Sequence, residues 1–119
     1  MNDVRSPWHF DRAAALDRLD HDEDLLWDVV QQFIDDAPAL LAAIEAAIGH
    51  NDADALRDAA HSLKGSAGYL AADDLCMAAQ TLEGLGRANL LDDARRAWPA
   101  FATEAGAVVA ALRTEASGR

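Results

Sequence analysis

Ala59-Ala60-His61-Ser62-Leu63-Lys64-Gly65-Ser66-Ala67-Gly68-Tyr69-Leu70 decides how the rest of the chain is arranged. Read as a helix, at about 100° per residue with His61 at the origin, it separates into two faces. Leu56, Ala59, Ala60, Leu63, Ala67 and Leu70 gather away from His61 and form an apolar stripe, while Arg57, Asp58, Lys64, Gly65 and Gly68 share its side. The imidazole is therefore predicted to point to solvent, with a cation one turn on and two nearly bare positions beside it.

Glycine costs roughly 1 kcal/mol relative to alanine in a helix interior, so two on one exposed face serve something other than stability. With no Cβ at Gly65 or Gly68, the backbone of another protein can come close to the imidazole. An exposed imidazole, a neighbouring ammonium and cleared ground describe a place where His61 can take up an anion and hand it on.

The heptapeptide His61-Ser62-Leu63-Lys64-Gly65-Ser66-Ala67 resembles the signature of histidine-containing phosphotransfer (HPt) domains, the carriers of two-component phosphorelays. The likeness extends to Phe33 with its acidic neighbours and Pro38, to the Asn51-Asp52 turn, and to Leu75 followed by Leu82-Glu83. The heptapeptide is fairly specific; the flanking pattern is shared by many bundles. The resemblance implies that His61 is the phosphoacceptor, Lys64 stabilises the phosphohistidine, and Gly65 leaves room for an incoming receiver domain. It also implies that Glu83, at a position commonly Glu or Gln, accepts a hydrogen bond from the non-reacting ring nitrogen and orients the imidazole. One departure is evident: where the family often reads Leu-Gly-Ala, this chain has Leu70-Ala71-Ala72. That difference bears on the turn after the signature helix and not on the histidine; Tyr69 is expected to narrow the approach on its side.

A chain of 119 residues fits one domain with a single core. It is 51% hydrophobic but only 6% aromatic, dominated by alanine and leucine, which favours helix over strand. The net charge of −11 argues against nucleic acid and against anionic lipid, both of which need a basic face; its plain consequence is solubility. The single cysteine, Cys76, allows no internal disulfide and falls in a helical apolar pattern as a small buried residue. No apolar run approaches the roughly 20 residues needed to span a bilayer, and the N-terminus lacks the apolar core of a signal peptide. A cytoplasmic location is expected.

Met1 to Pro7 reads as a loose lead-in, residues 8–116 as the domain, and residues 117–119 as a tail. Trp8 or Phe10 to about Leu19 is predicted helical, with Ala13, Leu16 and Leu19 inward. Four main helices are expected over roughly Asp22 to Ile48, Asp52 to Tyr69, Asp73 to Leu85 and Asp92 to Glu115. Asp20 is a candidate cap for the first and Asn51 or Asp52 for the second, and Gly49, Gly84 and Gly86 read as C-terminal signals. Pro38 either kinks the first or starts a second helix capped by Asp35 or Asp36, and Pro99 should bend or split the last. Short connections between amphipathic helices imply an all-α, antiparallel up-down four-helix bundle, with the short N-terminal helix covering one end.

Free imidazole titrates near pH 6.5, so at neutral pH much of it is an uncharged nucleophile. A bound phosphoryl group carries close to two negative charges, which Lys64 is placed to offset. Phosphoryl transfer needs mostly alignment and charge compensation, and a carrier can leave much of that to its partner. No metal site is read: a di-iron bundle needs two Glu-x-x-His motifs with further carboxylates, and Asp58-x-x-His61 falls short. His9, His21 and His50 sit near segment ends, where solvated histidines are common, and Ser62 and Ser66 read as small polar residues that suit a helix.

The expected function is thus a monomeric phosphoryl carrier without an ATP site or cofactor, the Mg²⁺ belonging to the receiver. Its partners would be receiver domains of response regulators or hybrid histidine kinases, meeting a surface that includes Arg57, Asp58 and Gly68. Two alternatives remain open from sequence: a receiver-docking module that is never phosphorylated, and the phosphoacceptor domain of a chemotaxis-type kinase.

Overall fold

The computed structural model describes residues 10–118, so the expectations for Met1–Pro7, Trp8 and His9 lie outside the described residues. Five helices follow one another: α1 (Arg12–Arg18), α2 (Glu23–Gly49), α3 (Ala53–Tyr69), α4 (Asp73–Arg87) and α5 (Leu91–Ser117). No strand occurs among the described residues. α3 packs most extensively on α4; α2 packs on α3 and α5, α4 on α5, and α1 on α2.

Each of the first three helices starts on an aspartate. Asp11, Asp22 and Asp52 sit in extended backbone and accept the amide N–H of Ala14, Leu25 and Ala55 at 3.1, 3.0 and 3.0 Å. Each cap satisfies a donor that a helix start leaves without a partner. Asp20 is not the cap of α2: it lies in the left-handed region (φ 56°) within the turn, and Asp22 takes the role. α4 and α5 start on Ala72 and Leu90 without side-chain caps, and the pairs Asp73-Asp74 and Asp92-Asp93 oppose their dipoles instead.

All four interhelical turns close in one way. The first residue beyond the C-cap is left-handed, at Asp20, Asn51, Ala71 and Asn89. The next amide reaches five residues back: His21 to Leu16 O, Asp52 to Ala47 O, Ala72 to Ala67 O and Leu90 to Leu85 O, at 2.7–3.1 Å. This is the Schellman arrangement, and glycine is its usual left-handed residue; none here is glycine. Ala71 stands where the related family often has glycine, and the turn forms with φ 52° all the same.

Leu26, Val30, Phe33, Ala37, Ile44 and Ile48 of α2 meet Leu56, Ala60, Leu63 and Ala67 of α3, Leu75, Ala79 and Leu82 of α4, and Phe101, Ala105, Val108 and Leu112 of α5 in one continuous core. Burying each of the larger side chains contributes about 1.5–3 kcal/mol. Two expectations are corrected at its edges, and two alternatives are decided. Ala13 is exposed and Ala15 is the buried residue of α1. Cys76 is only half-buried against the core. Of the alternatives for the prolines, a second helix starting at Pro38 and a split at Pro99 are set aside: α2 runs through Pro38 and α5 through Pro99, both residues exposed while Ala37 and Phe101 beside them stay buried. The hydrogen bond each proline removes therefore lies toward water, where the freed carbonyl can be hydrated.

Candidate functional site

α3 presents His61 to solvent, its side chain 66% exposed, because Leu56, Ala60, Leu63 and Ala67 turn the opposite face into the core. Lys64, one turn on, is half-buried toward α4. α4 buries Leu75, Ala79, Leu82 and Gly86, and the same rotation carries Glu83 into the seam with α3. Glu83 is 4% exposed, the one buried charged residue among those described.

The seam is narrow because Gly86 makes it so. A Cβ there would stand 2.8 Å from the backbone N of Arg57 and 2.9 Å from the carbonyl O of Ala53, closer than atoms pack. Gly86 is thus the contact point of two helix backbones, one residue before α4 ends at Arg87. The close approach brings together side chains 22 residues apart: His61 Nδ1 and Glu83 Oε2 are 2.9 Å apart. Lys64 Nζ donates to Glu83 Oε1 at 2.7 Å, and an Arg87 guanidinium nitrogen donates to Glu83 Oε2 at 3.0 Å.

The hydrogen bonds from Lys64 and then His61 pull the Glu83 carboxyl down from 4.5 to about 2, outweighing the opposing effect of burial. An ionised carboxylate only accepts, so the hydrogen between Glu83 and His61 sits on Nδ1. In the neutral ring Nε2 then carries the lone pair, on a side chain that is largely exposed. Burial of the carboxylate is tolerable because three donors surround it.

The other expected residues stand apart from this network. Arg57 turns to its own helix, 3.5 Å from Asp54 and 3.1 Å from Asp58, and the Asp58 carboxylate is engaged there. At Gly65 and Gly68 a Cβ would meet nothing within 4 Å, so both leave open space beside His61. The carbonyl of Gly68 accepts from Arg18 at 2.6 Å, and Arg18 lies 3.5 Å from Asp73, which ties α1 to the α3–α4 corner. Tyr69 is 65% exposed and lines an apolar groove of about 360 Å³ with Leu19, Leu25, Val29 and Phe33. Arg87 is absent from the sequence-based set, because Gly84 and Gly86 read as a stop; the i, i+4 spacing from Glu83 was the available signal. Among the described residues no group of three or more His, Cys, Asp or Glu side chains is arranged to hold a metal ion. None of their helices is long and apolar enough to cross a membrane.

A family model of the Hpt domain matches residues 28–115. The chain belongs to the Hpt domain family. The crystal structure of histidine-containing phosphotransfer protein B (HptB) from Pseudomonas aeruginosa PAO1 superposes on it with a TM-score of 0.84 at 26% identity, covering 96% of this chain and 99% of that one. No curated protein matches the chain. Hpt proteins are phosphocarriers of two-component phosphorelays and not enzymes with ATP sites, and they interact with receiver domains. The all-helical architecture described above is compatible with an Hpt helical bundle.

Proposed function

We propose that this Hpt protein carries a phosphoryl group on His61, taking it from the aspartyl phosphate of one receiver domain and passing it to the aspartate of another. The observation that carries the reading is the hydrogen bond between His61 Nδ1 and the buried Glu83 carboxylate, which leaves Nε2 as the exposed nucleophile. Lys64 exchanges its bond to Glu83 for the arriving phosphoryl oxygens and offsets their charge. Gly65 and Gly68 admit the receiver, with Arg57 and Asp58 at the edge of the contact. No cofactor is required of this chain; Mg²⁺ belongs to the receiver.

In the same reading residues 8–116 form the domain, and α2 to α5 form an antiparallel up-down four-helix bundle with α1 against one end. The short Schellman turns and the packing of each of these helices on the next, with α5 returning to α2, support that arrangement. The protein works as a monomer in the cytoplasm.

The test is labelling. A phosphorylated receiver with Mg²⁺ should transfer label to the protein in an acid-labile, alkali-stable form, and His61→Gln should abolish it. Tight receiver binding without transfer would favour a docking module instead, although such a module needs no carboxylate behind its histidine.

A further inference from the structure

We propose that Arg57 is a second cation for the phosphohistidine, held by Asp54 and Asp58 while His61 is bare and passed to the phosphoryl oxygens when the group arrives. This rests on the reading of His61 as phosphoacceptor. A phosphoryl group brings close to two negative charges, and Lys64 supplies one positive charge. Arg57 stands one turn before His61 on the exposed side of α3, as Lys64 stands one turn after it. Residues four apart on a helix have Cβ atoms about 5–6 Å from each other. Helical side chains lean toward the N-terminus of their helix, so His61 leans over the turn that carries Arg57 and Asp58.

The ease of release decides which cation can join Lys64. Lys64 and Arg87 both donate to Glu83, whose side chain is only 5% exposed, and withdrawing both would bare a buried carboxylate. The partners of Arg57 face water instead. Asp54 at 3.5 Å and Asp58 at 3.1 Å have side chains 84% and 72% exposed. Ion pairs of that kind contribute little, because water replaces a lost partner. A guanidinium also grips phosphoryl oxygens in pairs, which an ammonium does not. Gly86 of α4 lies against the backbone N and Cα of Arg57, so the root of the side chain is fixed and only its flexible stem has to swing.

Asp58 makes the exchange reversible. With Arg57 on the phosphoryl group, the Asp58 carboxylate stands without its cation three residues from the new anion, where like charges oppose one another. Departure of the phosphoryl group to a receiver ends that opposition and returns Arg57 to Asp58. Arg57 is thus a phosphoryl-binding residue, and Asp58 limits how firmly His61 keeps the group.

The equilibrium constant for phosphoryl exchange between this protein and one phosphorylated, Mg²⁺-loaded receiver tests the proposal. Docking contacts change how fast that equilibrium is reached but not its position, because they are absent from the separated proteins. Arg57→Gln should shift the constant toward the receiver about threefold to tenfold. Asp58→Asn should shift it toward His61, and by less when Arg57 is already glutamine, as a double-mutant cycle of coupled residues requires. In the wild type alone, the side-chain Nε–H resonance of Arg57 should move when phosphoramidate labels His61, which keeps the test open should a variant fail to fold. An unchanged constant in Arg57→Gln, equal effects of Asp58→Asn with and without Arg57, or an unmoved Arg57 resonance overturns the proposal and leaves the carrier reading intact. Absence of label on His61 defeats both.

Discussion

Gly86 of α4 lies directly against the backbone of Arg57 in α3, with room for a hydrogen but not for a methyl group between them. The proximity of Glu83 to His61 depends on that contact, one turn away on the same helix. Gly86→Ala should therefore force the helices apart and cost about 1–3 kcal/mol, as overpacking does. Gly84→Ala, two residues earlier and facing open space, should stabilise by about 0.5–1 kcal/mol through helix propensity. Urea denaturation of the pair measures both, and equal effects would show that the seam is not tight.

At Gly65 a side chain meets nothing within this protein. Gly65→Gln should raise stability by about 0.5–1 kcal/mol. Transfer from a receiver should nevertheless slow about tenfold or more, since small misplacements of reacting groups have effects of that size. Labelling by phosphoramidate, which needs no docking, should be unchanged; a parallel loss there would place the defect in the histidine and not in access.

Acid sensitivity should register Glu83. Its carboxyl titrates near 4.5 when unfolded and at about 2 in the folded chain, a lowered value. The folded state therefore binds fewer protons in this interval, and stability falls as pH falls. The contribution is complete above about pH 4.5 and is lost progressively toward pH 2. Glu83→Gln removes it, so the difference in unfolding midpoint between wild type and variant should shrink as the pH is lowered through that window. A constant difference would mean that the carboxylate gains nothing from Lys64 and His61.

Ala71 holds a left-handed conformation that costs an L-residue about 1–2 kcal/mol. Its buried methyl returns about 0.8 kcal/mol. Ala71→Gly relieves the first and forfeits the second, so the thermal midpoint should move by an amount equivalent to less than about 1 kcal/mol. Ala71→Val, β-branched and buried, should cost more than that.

The helices and their inward stripes were legible because alanine and leucine recur at helical spacing, and His61 with Lys64 because three residues is one turn. Glu83 was legible only through family likeness, since no periodicity links positions 22 residues apart. Arg87 escaped because glycine reads as punctuation: that holds at Gly49, where α2 ends, but α4 runs on past Gly84 and Gly86 to Arg87, and the left-handed positions are Asp20, His21, Asn51, Ala71 and Asn89. Asp20 and Asp22 are equally good caps by residue type, and only the closure of the α1 turn through His21 N to Leu16 O decides between them. The prolines left two outcomes open for a different reason. A helix tolerates the missing N–H when the break faces water, and the side it faces is a tertiary property.

The corners without glycine have a consequence for mutational scanning. The methyl of Ala71 can be removed at its bend with small effect, while a side chain added at Gly86 or Gly65 does harm that two different instruments detect. The first lowers the melting curve and loosens the carboxylate behind the histidine; the second raises the melting curve slightly and does its harm only when a second protein arrives.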